Sequence, residues 1–273
     1  MSAFPIIAVD IGNARIKLGL FAPCCADGLP EPAWTLPLLG NEPELDMIED
    51  WLETGNETPR ACEHAPYRWW IASVNRPAAT RLIDWLCDHR PGDRVTLLAA
   101  GDLPLEVRLE RPDMVGIDRL VDAVAVNRLR RPERPAVIVD VGTAITVDLV
   151  SADGAFLGGA ILPGLQMSAR AMHEFTDLLP LVEVSEPPPA LGKSTTGAIQ
   201  SGLYWGAIGA VKELVAQLSG DRDTEIFLTG GAGPLFANVL STDSVRPPIF
   251  VPHLTLAGVA LAAAAVLPAE PPR

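Results

Sequence analysis

A short segment of this chain occurs twice. Residues 7–14, Ile-Ala-Val-Asp-Ile-Gly-Asn-Ala, resemble residues 138–144, Ile-Val-Asp-Val-Gly-Thr-Ala. Val9, Asp10, Gly12 and Ala14 match Val139, Asp140, Gly142 and Ala144, 130 positions later in a chain of 273 residues. In each copy an apolar run ends in Asp-x-Gly, and a second apolar run follows, at 16–21 and at 145–150. Strand, tight turn, strand is the pattern of a β-hairpin. Two such hairpins half a chain apart predict two similar domains facing each other. The Arg111-Pro112-Asp113 stretch interrupts the apolar pattern, so the expected domains are 1–113 and 114–273, with the last helix able to pack back on the first.

The residues between the repeats fill in an α/β order. Apolar runs at 69–74, 95–99, 136–139, 155–161 and 225–228 read as strands. Segments 78–87, 118–130, 164–175, 195–218 and 254–267 read as helices. The last is Ala-rich and shorter than the ~20 residues of a membrane span, so a packed terminal helix is expected. In the helix at 195–218, Gly202, Gly206 and Gly209 recur at helical spacing, which suggests close packing against a neighbour. Trp69 and Trp70 read as core and surface neighbours on one strand. The acid-rich stretch 42–57 reads as a solvated helix face. The proline clusters at 187–189, 247–248 and 268–272 read as loops and a frayed end.

Composition narrows the function. Apolar residues make up 48% and charged residues 20% of the chain, which supports a folded core rather than disorder. The net charge is −13, with no Lys/Arg-rich run, and this argues against nucleic acid as a partner. Cys24, Cys25, Cys62 and Cys87 form no Cys-x-x-Cys pair, and residues 1–9 lack a signal-peptide layout, so a reduced cytoplasmic protein is expected. His64, His89, His173 and His253 show no metal-ligand spacing; only His173 lies near a motif.

An Asp at a strand end before a Gly turn can hold hydrated Mg²⁺ while turn N–H groups face phosphate oxygens. It is also an ordinary hairpin turn, and the duplication is what favours phosphate. Lys17 can add a point charge to the first loop, and Thr143 a hydroxyl to the second. Paired phosphate loops of this kind clamp ATP in the cleft of the actin, hexokinase and sugar-kinase superfamily, which this pattern resembles. Leu228-Thr229-Gly230-Gly231-Ala232-Gly233 reads as a strand-to-helix turn, the segment that lies along adenosine in that superfamily. In Val115-Gly116-Ile117-Asp118-Arg119, Asp118 suits two compatible roles, helix N-cap and general base. Arg119 can hold a substrate carboxylate with two hydrogen bonds.

Taken together, these motifs resemble the type III pantothenate kinases over most of the chain. The likeness rests on Asp10-Ile-Gly-Asn13 with Lys17, Ser73-Val74, Gly116-Ile-Asp-Arg119 and Asp140-Val-Gly-Thr-Ala144. It continues through residues 158–164, Gly192-Lys-Ser-Thr195 with Ala198 and Gly202, and Thr229-Gly-Gly231. The resemblance implies two actin-like domains with an ATP cleft between them, and ATP-dependent phosphorylation of pantothenate, the first step of coenzyme A synthesis. It implies Mg²⁺, a monovalent cation (K⁺ or NH₄⁺), and a homodimer. By position, Asp10, Gly12, Asn13, Ala14 and Lys17 form the first phosphate loop, with Asp10 near Mg²⁺. Thr143, Gly230 and Gly231 contact ATP, and Asp140 binds the monovalent cation. Gly116, Ile117, Asp118, Arg119 and Thr195 contact pantothenate, with Asp118 as proton acceptor. Two positions depart from the family pattern: Ala14 stands where Thr is usual, and Leu109 where Tyr is usual. They keep two alternatives open, a non-catalytic nucleotide-binding relative or transcriptional accessory factor, and a kinase for another small hydroxylated acid.

Overall fold

A computed structural model describes residues 5–21, 28–40, 43–54, 66–242 and 247–266. The chain divides into two compact units. The first comprises Met1–Leu105, Glu110–Leu129 and His253–Arg273; the second comprises Glu106–Leu109 and Arg130–Pro252.

Each unit is built on a five-stranded mixed sheet. In the first unit the strands are β1 (Ile6–Ile11), β2 (Arg15–Phe21), β3 (Trp34–Leu39), β4 (Arg68–Ser73) and β5 (Arg94–Leu97), in the order β3-β2-β1-β4-β5. In the second they are β6 (Ala136–Val141), β7 (Ala144–Val150), β8 (Phe156–Pro163), β9 (Glu225–Thr229) and β10 (Ile249–Phe250), in the order β8-β7-β6-β9-β10. The two orders are the same: an antiparallel meander of three strands, then two parallel strands beside the first. The repeat in the sequence is therefore a repeat of the whole sheet.

Helices α1 (Met47–Thr54) and α2 (Arg76–His89) cover one face of the first sheet. Ile7, Val9 and Ile11 of β1 and Ile16, Leu18 and Leu20 of β2 pack with Ile48, Leu52, Leu82 and Leu86 in one core. The alternation of strand side chains sends Ala8, Asp10, Lys17 and Gly19 to the other face. There lie α3 (Ile117–Leu129) and α7 (Leu254–Val266), which pack on each other and, in α7, on β1. A Cβ at Gly258 would collide with the Val121 carbonyl, so glycine is what lets these two helices touch. In the second unit α4 (Leu165–Glu174), α5 (Thr195–Ser219) and α6 (Gly233–Thr242) accompany the sheet. Val137, Val139, Val141, Ile145 and Val147 form its core with Tyr204, Ile208 and Phe236.

Local chemistry sets the helix starts. Asn75 accepts the Ala78 N–H at 3.1 Å to cap α2, and Ser194 accepts the Gly197 N–H at 3.1 Å to cap α5. α5 ends at Gly220, whose φ of 54° suits a residue without a Cβ.

Several expectations are revised. The expected boundary at 113 does not coincide with the observed division: α3 belongs to the first unit, together with α7 as the last helix was expected to be able to do, while residues 106–109 join the second through Phe156 N–H to Glu106 O and Arg108 N–H to Phe156 O. The stretch 42–57 is not simply a solvated face, because α1 buries Ile48 and Leu52. Trp69 and Trp70 are both buried, since each face of β4 is covered. At Gly202, Gly206 and Gly209 an added Cβ would meet nothing within 4 Å, so no described part of this chain packs there. Cys87 is an exposed free thiol, and Cys24, Cys25 and Cys62 lie outside the described residues, as does the tail at 268–272. Among the described residues no helix is long and apolar enough to cross a membrane.

Candidate active site

In the first unit, Asp10 is the next-to-last residue of β1 and 9% exposed. It is paired across the sheet with Lys17 on β2 and with Ala72 on β4. Direct cross-strand neighbours share a face, and here the Lys17 ammonium lies 3.2 Å from Asp10 Oδ2. The turn that follows is closed by the Gly12 N–H donating to Arg15 O at 3.1 Å, and it leaves Asn13 and Ala14 exposed. A Cβ at Gly12 would reach Arg15 O at 3.5 Å, an ordinary contact, so the fold itself does not demand glycine there.

Asp118 belongs to this same unit. The end of β4 is tied to β1 by Val74 N–H to Ile11 O at 3.0 Å, and Val74 Cγ1 lies 3.5 Å from where a Gly116 Cβ would stand. That virtual Cβ would also be 2.5 Å from Asp118 Oδ1, so a side chain at 116 would have to displace the Asp118 carboxylate. Helix α3 begins at Ile117, one residue earlier than expected. Asp118 is thus inside the first turn rather than the N-cap, and its Oδ1 accepts the Arg119 N–H at 2.9 Å. Asp118 and Arg119 are both half-buried.

The second unit holds the other candidates. Asp140 is next-to-last in β6 and is flanked by Thr146 on β7 and Thr229 on β9. Thr229 is 2% exposed. Beyond Thr229 the chain turns at Gly230, with φ of 93°. A Cβ there would overlap Asp140 Oδ1 and the Val141 backbone. The turn is pinned by Ala232 N–H to Val141 O at 3.0 Å, and α6 follows at Gly233. Gly230 and Gly231 therefore sit over the carboxylate end of β6. Thr143 is exposed in the second hairpin turn, which closes by Gly142 N–H to Ala144 O at 2.9 Å.

The second turn is one residue shorter than the first. Ile11 pairs with Ile16, but Val141 pairs with Ile145. The Ala14 carbonyl accepts from Gly40 N–H at 3.2 Å, just beyond β3, and the Thr143 carbonyl accepts from Gly164 N–H at 3.0 Å, just beyond β8. Ala14 is thus the structural counterpart of Thr143, not of Ala144 as the residue-by-residue match suggests.

Thr195 is the exposed first residue of α5. Leu109 is half-buried, with Cδ2 3.1 Å from the Cβ position of Gly158, which has φ of 96°. His173 is committed locally, its Nδ1 lying 2.8 Å from the Leu179 carbonyl. Among the described residues no three His, Cys, Asp or Glu side chains gather as a metal site. A monovalent cation needs mixed oxygen donors instead, and one carboxylate between two threonines fits that requirement. Thr146 was not singled out in the sequence, and Thr229 was read only as part of the turn expected beside adenosine. Their place beside Asp140 follows from strand pairing, and the repeat offset slips by one in the intervening turn.

Two sheets of one order, each with an Asp-tipped hairpin, define the actin/hexokinase-like ATPase fold. A structure of a conserved Baf family transcriptional activator from Campylobacter jejuni shares it, with TM-score 0.57 and 20% identity over 94% of this chain and 97% of that one. So does the activator of 2-hydroxyisocaproyl-CoA dehydratase from Clostridium difficile with bound ADPNP, with TM-score 0.53 and 13% identity over 96% and 94%. Within that fold the chain belongs to the type III pantothenate kinase family, whose model matches residues 6–217. A type III pantothenate kinase of Chlorobium luteolum is 37% identical over 94% of this chain and 93% of its own length. One from Cereibacter sphaeroides is 44% identical over 85% and 88%. A third, from Paramagnetospirillum magneticum, is 42% identical over a shorter alignment, 50% of this chain and 52% of its own length.

Proposed function

We propose that this protein transfers the γ-phosphoryl group of ATP to the primary hydroxyl of pantothenate, giving 4′-phosphopantothenate and ADP. The family match carries this reading, because residues 6–217 include every proposed site residue except Thr229, Gly230 and Gly231. Asp10, Gly12, Asn13, Ala14 and Lys17 bind phosphate oxygens, and Thr143, Gly230 and Gly231 bind ATP. Gly12 supports this: neither a left-handed φ nor a crowded Cβ explains it from within the chain. Asp118 accepts the hydroxyl proton as the new P–O bond forms and the bond to ADP breaks. Arg119, Gly116, Ile117 and Thr195 hold pantothenate, with the guanidinium on its carboxylate.

Asp10 would hold the Mg²⁺ that accompanies ATP, which would offset phosphate charge. Asp140 holds K⁺ or NH₄⁺ with help from Thr146 and Thr229. The enzyme works as a cytoplasmic homodimer. Support for the dimer comes from the open glycine face of α5 and from Phe175, Leu178 and Leu191, which are 85%, 85% and 74% exposed. Apolar side chains exposed to that degree favour a covered surface.

ADP release measured with and without pantothenate, alongside other small hydroxy acids, tests the reading. Pantothenate-dependent release supports it; release driven better by another acid reassigns the substrate, and none at all favours a non-catalytic relative. Asp118→Asn should keep the fold, because the amide oxygen can still accept the Arg119 N–H. Turnover should fall about 10²- to 10⁴-fold. Near-normal turnover in a folded variant would remove Asp118 from the chemistry.

A further inference from the structure

A cavity of about 470 Å³ opens in the second unit, walled by residues 133–135, 151–152 and 222–223. Pro135 leads directly into β6, and Asp140 lies at the other end of that strand, roughly 13 Å away at ~3.3 Å per residue. The cavity is therefore separate from the proposed active site. Two features of its wall are unexplained by the fold. Among the described residues, Glu133 is the only non-glycine with a left-handed φ, 63°. It stands in a turn closed by Arg134 N–H to Arg131 O at 3.3 Å, with Pro132 before it. A turn with Pro at its first central position and a left-handed second one favours Gly or Asn there, so Glu is strained. The other feature is Arg134. Its Nη2 lies 3.1 Å from Asp223 Oδ2, but its Nη1 is shielded from solvent and meets no acceptor. Arg222 is held by the last carbonyls of α5, with Nε donating to Ser219 O at 3.0 Å and Nη2 to Leu218 O. Ser151 is engaged within its own turn, by Asp153 and the Ala155 N–H.

The wall thus carries two guanidinium groups, of Arg134 and Arg222, and two carboxylates, of Glu133 and Asp223. In a chain of net charge −13 a bare anion approaches against the overall field. A ligand with one charge of each sign does not. Asp223 is engaged by Arg134, which leaves Glu133 for a cationic group. Pro135 and Ala152 add apolar surface between the charges. We propose that this cavity binds an apolar α-amino acid as its zwitterion, with the carboxylate on Arg134 and Arg222 and the ammonium on Glu133. As the Arg134 guanidinium turns toward the ligand, Nη1 gains the acceptor it lacks. The strained turn keeps the Glu133 carboxylate presented to the ammonium. The inference does not depend on the kinase reading, because none of these residues belongs to the proposed active site.

The test uses the full chain and L-leucine as the probe, with binding read by calorimetry and melting temperature. Isocaproate is leucine without its ammonium, isoamylamine is leucine without its carboxylate, and inorganic phosphate is an anion alone. Leucine should bind saturably, and each of the other three should bind roughly 10-fold more weakly or worse, the loss expected when one charged hydrogen bond is removed. Glu133→Gly should raise the melting temperature of the free protein by roughly 2–4 °C, because glycine relieves the strained φ, and should also lose leucine binding. Glu133→Gln keeps the strain, so its melting temperature should match wild type while binding falls by a similar factor. Absence of saturable leucine binding, equal or tighter binding of isocaproate or phosphate, or leucine binding retained in Glu133→Gly would each overturn the proposal. ADP release should be the same in both variants as in wild type. A protein that binds leucine but releases no ADP would sink the kinase reading and leave this inference standing.

Discussion

Asp10 and Asp140 occupy the same place in the two repeats and keep different company. Asp10 faces Lys17 on one side and Ala72 on the other, and its charge is met within the chain by an ammonium at 3.2 Å. Asp140 faces Thr146 and Thr229, which offer hydroxyls and no charge. The first carboxylate faces a cation from its own sheet; the second faces two hydroxyl-bearing side chains across its sheet. The adjoining glycines differ in the same way. Gly230 is forced by its own chain, through a left-handed φ and the closeness of Asp140, whereas Gly12 is under no such pressure. A duplicated scaffold thus keeps the carboxylate at the strand end and gives each copy different cross-strand neighbours.

The largest effect should separate the two glycines. Gly230→Ala places a Cβ against the Asp140 carboxylate and the Val141 backbone at a left-handed φ. It should destabilise the protein by roughly 3 kcal/mol or more. Gly12→Ala should leave the melting temperature nearly unchanged and act on ATP binding alone. Denaturation curves and ATP titrations of both variants check this. A stability loss in Gly12→Ala as large as that in Gly230→Ala would erase the distinction.

The next effect concerns the cations. At constant ionic strength, K⁺ or NH₄⁺ should raise both turnover and thermal stability over Na⁺, and Asp140→Asn should abolish the response. Saturation at about 100 times the dissociation constant would add ~2.7 kcal/mol. Thr229→Val should weaken the response without abolishing it. Equal melting temperatures in all three salts would show that Asp140 holds no selective site.

The smallest effect would make the two hairpins more alike. Ala14 is exposed and corresponds to Thr143, so Ala14→Thr gives the first turn the hydroxyl that the second already has. One added neutral hydrogen bond, about 0.5–1.5 kcal/mol, predicts roughly 2- to 12-fold tighter ATP use. Steady-state kinetics over a range of ATP concentrations will measure it, and poorer kinetics in a folded variant would mean the turn is adapted to Ala14.

The hairpins were legible in the sequence because alternation and Asp-x-Gly are local signals, and most helices were legible through their periodicity. β3 was missed because Pro37 interrupts Trp34–Leu39, although proline is tolerated on an edge strand. β10 is only two residues long. The return of the last helix to the first unit was anticipated, but the boundary was misplaced because α3 also belongs there, and return contacts leave no mark in a linear pattern. α7 is buried along most of its length, from Leu254 to Ala260, so no polar stripe shows which way it faces. For the candidate site, motifs named Asp10, Asp118 and Asp140. The place of Thr146 and Thr229 beside Asp140 depends on strand pairing, which spacing along the chain does not encode.

The first unit is assembled from three stretches of chain, and its last stretch begins at His253. The second unit is nearly continuous, from Arg130 to Pro252, with four residues borrowed from upstream. Closing the first sheet therefore brings together residues far apart in sequence, β1 and α7 above all, whereas the second unit is closed mostly within one stretch. Contacts of such long sequence separation are the ones that slow folding, so the half of the molecule that begins the chain is the half that depends most on distant parts of it.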